Sequence, residues 1–320
     1  MKVLFSSLMF ICFIAFGYSQ KRSAYSSYPT ESKVIYGICF TLNGEALAIA
    51  DNKTIKVYST NSKELIAEFK GGHSNQILSV DISKDSTLLV SGGKDSVINI
   101  WDINSKNVLQ SIKCHKGKIT SVKISTDGQY LLYGCTGNFA YLFDLKLRKV
   151  IMEFTDHTGT VTSVIFSSDG KFLFTASADK AINIYGVEDY RLLTSLKQHK
   201  GWVRDIAINK EGTRFVSCGD DGRTLLWNIS DIQNASVEKK SFLPFSWITT
   251  VDFKDDNLTY LKGGFNGKIK IICPMANYRV RIRKPVNKVL FKPCEGIFIK
   301  AAIATSGKGV ILIDSKYLSI

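Results

Sequence analysis

Histidine is scarce in this chain: there are four among 320 residues, beside five prolines, four tryptophans and four methionines. So few imidazoles argue against a His-rich metal enzyme. So few prolines, with 45% hydrophobic and 22% charged residues, exclude a disordered chain. A Gly-rich phosphate loop, a Cys-x-x-Cys pair and a His-Glu-x-x-His motif are also absent, so the common nucleotide, redox and zinc-protease signatures find no support. Acidic residues are outnumbered, with Lys+Arg 42 against Asp+Glu 28 and a net charge of +14. Aromatics are plentiful at 11%, with 19 Phe and 13 Tyr, which leans toward strands. No cofactor or metal is expected.

The first 19 residues stand apart. Met1 and Lys2 give a positive start, Val3 to Tyr18 carry no charge, and Gly17 and Ser19 put small residues at −3 and −1 of a cut before Gln20. This pattern predicts a secretory signal peptide over 1–19 and an exported, periplasmic or extracellular protein. The alternative is an anchor retained through residues 3–19, kept open by Lys21 and Arg22. Bulky Ile11 before Cys12 argues against a lipid anchor. A signal ending in Ser with Gln starting the mature chain resembles exported proteins of the Bacteroidetes. Cleavage would leave six cysteines, Cys39, Cys114, Cys135, Cys218, Cys273 and Cys294. Six in so long a chain are too few for a disulfide scaffold and read first as small buried thiols.

The histidines are His73, His115, His157 and His199, each 42 residues from the next. Trp101, Phe143, Tyr185 and Trp227 keep the same spacing and end strand-like runs. Each period holds an alternating run after the His (Ile77–Ser83, Ile119–Ser125, Val161–Ser167, Val203–Asn209), a turn, a second run, a Gly- or Asp-containing turn and the aromatic-ended third run. A fourth run precedes the next His. Four short strands repeated at this period predict a propeller blade.

The pattern resembles WD40 repeats. The family's Trp-Asp stands as Trp101-Asp102, weakened to Phe143-Asp144, Tyr185-Gly186 and Trp227-Asn228. Weaker copies extend the array upstream (Ile35–Phe40, Ala46–Ala50, Thr54–Tyr58) and downstream to Ile313-Asp314. The expected fold is all-β, a seven-bladed propeller of four-stranded antiparallel blades over 30–320. Residues 20–29 are a candidate closing segment, with either Ser23–Tyr28 or Tyr317–Ile320 as the outer strand of the last blade.

Three sets of residues share one set of offsets: His73, Ser91, Asp95 and Trp101; His157, Thr175, Asp179 and Tyr185; His199, Ser217, Asp221 and Trp227. Ser, His and Asp together suggest nucleophilic hydrolysis. Repetition with an attached aromatic fits better with the hydrogen-bond tetrad that the WD40 resemblance implies. The third blade breaks it, with Tyr133 and Gly137 in place of the hydroxyl and the Asp, so His115 is expected to be more exposed.

The resemblance implies a non-enzymatic, monomeric platform for protein partners. An enzyme working at the central channel and a membrane-anchored intracellular scaffold are the alternatives. Trp202 and Trp247 precede the first strands of neighbouring blades and are expected side by side near the face carrying the His loops. Arg204, Tyr36, Lys118 and Lys200 would join them in partner binding. Residues 279–300 are basic; Arg279, Arg281, Arg283, Lys284 and Lys288 would form a patch able to attract an anionic surface or an acidic partner. Nucleic acid is a less favoured partner for an exported chain. Blade geometry puts Cys273 and Cys294 on one face of adjacent blades, where a disulfide could form.

Overall fold

The computed structural model describes residues 25–41, 43–243, 246–254, 259–272, 277–282, 284–292, 300–307 and 309–314. Its strands form seven four-stranded antiparallel sheets. The second is representative: Ile77–Ile82 innermost, then Leu88–Gly93, Val97–Asp102 and Val108–Lys113 outermost. Burial follows position. The two middle strands are almost wholly buried, whereas the outermost alternates between half-buried and exposed. Branched aliphatics and Trp101 therefore dominate the middle strands of this blade, and its Gln110 and Lys113 stand on the outermost.

The core is divided rather than central. Seven apolar clusters lie between successive blades, including one that joins the seventh to the first through Tyr28, Ala302, Ala304 and Val310 against Ile35, Ile38, Leu47 and Ile49. Each blade thus buries both faces only because it has two neighbours. Close stacking needs a small residue near the end of every second strand. Ala50, Gly92, Gly134, Ala176, Cys218, Gly263 and Ala304 occupy that slot. A methyl built on Gly92 would lie 2.3 Å from Ile119 of the next blade, and one on Gly134 2.6 Å from Val161.

The ring closes through the N-terminal segment. Tyr25–Tyr28 pairs antiparallel with Gly309–Asp314 as the outer strand of the seventh blade, Tyr25 opposite Ile313 and Tyr28 opposite Val310. Of the two expected closing segments, Ser23–Tyr28 supplies the strand. Tyr317–Ile320 and the expected signal peptide over 1–19 lie outside the described residues, as do Cys273, Cys294 and Arg283. The first strand of blade 1 is shorter than the sequence suggests, Ile38–Phe40. Val34 and Ile35 instead bond to Ser306 and Thr305 of the last blade. Cys39, Cys114, Cys135 and Cys218 are free, buried thiols, as the sequence suggested.

Candidate interaction surface

The tetrads form as chemistry requires. In blade 5 the Trp227 indole N–H donates to Ser217 Oγ (2.8 Å), Ser217 Oγ lies 2.8 Å from His199 Nε2, and His199 Nδ1 lies 3.0 Å from Asp221. Blade 2 repeats this with Trp101, Ser91, His73 and Asp95 at 2.9, 2.7 and 2.9 Å. One tautomer satisfies every group: the hydroxyl hydrogen goes to Nε2 and the Nδ1 hydrogen to the carboxylate. Burial pushes His73 below its ordinary range, against the pull of Asp95, which favours the neutral ring. Burial alone would raise the Asp179 carboxyl, but His157 and the backbone N–H groups of Ala181 and Thr158 bring it down to about 2. The same carboxylates cap the loops carrying the His, since Asp95 accepts from Ser74 N–H and Asp221 from Lys200 N–H. These acids are committed to structure.

Blade 4 departs from the expected pattern, and blade 3 breaks the tetrad as its sequence foretold. In blade 4, His157 reaches Thr175 and Asp179 at 2.8 Å each, but the Tyr185 hydroxyl donates to Asp156 at 3.1 Å. A phenol projects farther than an indole N–H and finds the acid next to the histidine. In blade 3, His115 is exposed, as expected. A methyl on Gly137 would sit 1.9 Å from the Lys116 carbonyl, so the loop has moved into the space of the missing aspartate. Blade 1 has no histidine and improvises: Asp51 accepts from the N–H groups of Glu31 and Ser32 while pairing with Lys56. Sequence reading passed over this cluster because it is out of phase with the other blades.

The innermost strands line a central channel of about 690 Å³. Their free edges are tied blade to blade by side chains. Thr120 and Thr249 donate to the carbonyls of Val161 and Val286, Thr162 to that of Val203 (2.6 Å), and Asn287 to that of Ile35 (2.8 Å) across the ring closure. Ser79 and Ser121 accept the N–H groups of Val122 and Val164. Asp81 pairs with Lys123 at 2.7 Å. Asp205 accepts from Ser163, Thr250 and Lys288, the last at 2.7 Å.

Lys288 therefore corrects the expected basic patch. It stands on the innermost strand Val286–Phe291 and points into the channel, where Asp205 neutralises it. Arg279 and Arg281 are exposed on the outer strand Asn277–Arg281, with Val280 and Ile282 turned inward, so that strand has the expected basic face. Lys284 is exposed in the loop leading into blade 7.

Asp252 is the unusual channel acid. Desolvation, with some help from Asp205, pushes its carboxyl up to about 7, although Phe291 N–H, Lys288 and Lys123 favour the charged form. A carboxyl raised in the fold holds its proton while the unfolded chain loses it. Its contribution therefore destabilises progressively between about pH 4 and pH 7 and is constant above. Asp252→Asn should keep the bond from Phe291 N–H and remove this dependence. Urea melts at pH 5 and pH 8 should show the variant gaining on wild type by roughly 2–3 kcal/mol between the two. An unchanged difference would mean that the carboxyl titrates normally.

One mouth of the channel lies on the face of the His loops. Tyr36, Lys94, Trp202 and Arg204 stand around it. Trp202 is 47% exposed and Trp247 50%. Each takes a neighbour from its own blade. The Arg204 guanidinium lies 4.7 Å from the Trp202 ring centre and grips Asp220 through two bonds of 2.7 and 2.6 Å. Trp247 lies 5.3 Å from Phe265, itself 53% exposed. Lys94 stands 5.6 Å over Tyr36, and Lys116 5.0 Å over Phe139. Lys118 and Lys200 are exposed on the same face. Phe265 and Phe242 escaped sequence reading, because the sixth blade begins 45 residues after the fifth (Val203 to Ile248) and its turns fall out of phase.

Blades, tetrads and ring closure together define a seven-bladed propeller of the WD type. Four segments, 63–102, 106–144, 148–186 and 190–228, match the WD domain, G-beta repeat. The chain belongs to the WD40 repeat family. Each matched segment begins at the outer strand of one blade and ends with the third strand of the next. Among curated relatives, Protein NEDD1 of Bos taurus is 31% identical over 27% of this chain and 13% of its own length. The guanine nucleotide-binding protein subunit beta of Schizosaccharomyces pombe is 35% identical over 24% of each chain. The WD repeat domain-containing protein 83 homolog of Dictyostelium discoideum is 32% identical over 23% of each. The matches thus span about a quarter or less of these relatives. WD40 propellers as a class are scaffolds for protein interaction.

Proposed function

We propose that this propeller is an exported, monomeric scaffold that binds a protein partner across the channel mouth bearing Tyr36, Trp202 and Arg204, with Trp247 of the sixth blade on the same face. The observation that carries this reading is the exposure of Trp202 and Trp247 on a rigid face, with Arg204 held in place by Asp220. Buried cores elsewhere absorb such side chains; exposed aromatics beside a pre-ordered arginine suit an interface anchor. The channel acids Asp81 and Asp205 tie neighbouring strands, and the histidines of blades 2, 4 and 5 are each held by a hydroxyl and an Asp of their own blade, which favours a scaffold over a channel enzyme.

Recovery of partners on immobilised protein should fall about tenfold or more for Trp202→Ala and Trp247→Ala, with unchanged melting. Equal recovery from wild type and both variants would remove this face from consideration. Export rests on the sequence of residues 1–19. N-terminal sequencing should begin at Gln20 or its cyclised form, and an intact Met1 in the mature protein would favour the anchor.

A further inference from the structure

The charges of the His-loop face are divided unevenly between internal and external work. Its acids are occupied within the fold: Glu31 and Asp51 by Lys56, Asp95, Asp179 and Asp221 by the tetrad histidines, Asp156 by Tyr185, and Asp220 by Arg204. Its lysines are not. Lys53, Lys116, Lys118, Lys180 and Lys200 are exposed, and among the described residues they form no ion pair. Two of the face's cations, Lys94 and Lys116, lie over Tyr36 and Phe139, which leaves them solvated on their outer side. The surface is therefore net positive and aromatic, and the acids named above, although Glu31 and Asp156 are exposed, are each engaged within the fold.

Shape narrows the occupant. The aromatics do not protrude from a plane; Tyr36 and Trp202 line the opening of a channel about 690 Å³ in volume whose wall runs inward to Ile165, Ile206 and Leu290. A flat bilayer cannot enter such a concavity, whereas a side chain of an extended peptide can. We infer that this face binds an acidic, extended protein segment, with carboxylates over the lysine ring and one bulky apolar side chain in the channel mouth. This inference rests on the scaffold reading and specifies its partner by chemistry. Loop lysines would steer the segment, and Trp202 with Tyr36 would hold it.

The test uses the full mature chain and a short fluorescein-labelled peptide in which Glu alternates with Leu and Tyr. Polarisation should report binding that weakens with added salt. The same peptide with Lys for Glu should bind at least about tenfold more weakly. Lys118→Glu with Lys200→Glu should lower affinity about tenfold, whereas Lys149→Glu on the outer strand of blade 3 should leave it unchanged. Trp202→Ala should lower it without changing the salt dependence. Equal affinity for the acidic and basic peptides would overturn the inference. So would an equal effect of the Lys149 and loop substitutions, or binding to phosphatidylserine vesicles with none to the peptide. If a partner is still lost with Trp202→Ala while the acidic peptide fails, only the charge assignment falls; if both fail, the scaffold reading falls with it.

Discussion

His199→Ala is expected to cost about 3 kcal/mol of stability, while His115→Ala costs less than about 0.5 kcal/mol. The two histidines occupy the same place in the repeat, but only His199 lies between Ser217 and Asp221. Removing its ring takes the imidazole N–H from the nearly buried Asp221 carboxylate, which keeps only the backbone N–H groups of Lys200 and Arg223, and leaves a buried hydroxyl with no acceptor for its hydrogen. His115 is exposed in a blade that never built the network. Thermal melting would separate them, with His199→Ala lower by roughly 5–10 °C. Binding at the channel mouth should survive in His199→Ala at temperatures where it remains folded. Loss of a specific activity at unchanged melting would instead make the His, Ser and Asp set catalytic.

Tyr28→Ala should be about as damaging, at roughly 3–4 kcal/mol. Tyr28 is buried in the closing strand, its ring 5.2 Å from that of Tyr58, whose hydroxyl donates to the Pro29 carbonyl at 2.6 Å. It packs in the apolar cluster that joins the seventh blade to the first. Tyr28→Phe should be neutral or stabilising by up to about 1 kcal/mol, since the Tyr28 hydroxyl is buried with no partner among the described residues. Chemical denaturation of both variants would check the pair. A mild effect of alanine would mean that backbone pairing with Gly309–Asp314 is enough to close the ring.

Much of this architecture was legible because it repeats. Four histidines and four aromatics in one phase marked the blade period and strand order, the weaker flanking copies brought the count to seven, and the WD40 resemblance implied the tetrads of blades 2 and 5. Reading by phase failed where the repeat changes length or chemistry. Lys288 belonged by composition to a basic stretch, but its place two residues into an innermost strand turns it toward Asp205. The Asp51 and Lys56 pair does in blade 1 what a histidine does elsewhere, with different residues at different spacing. The inter-blade ties were within reach: Thr120 and Thr162 are 42 apart, as are Ser79, Ser121 and Ser163. Periodic hydroxyls on a strand with one unpaired edge imply bonds to the next strand. Nothing local marked Trp247 as a neighbour of Phe265, because that contact depends on how the loop into blade 6 crosses its own turn.

The seam of the seventh blade sets an order of events in the life of the chain. Tyr25 meets Ile313, so the propeller's first strand has no partner until the third strand of its last blade has left the ribosome. Six blades can stack in sequence as they are made, each on its predecessor. The ring can shut only after the seventh blade has been made, at a loop-closure cost of roughly 5 kcal/mol. Until then both ends present open backbone, the first strand at one and the inner three strands of blade 7 at the other. Whatever holds the N-terminal segment in that interval, whether a membrane, a translocation channel or a chaperone, decides when the molecule becomes a ring.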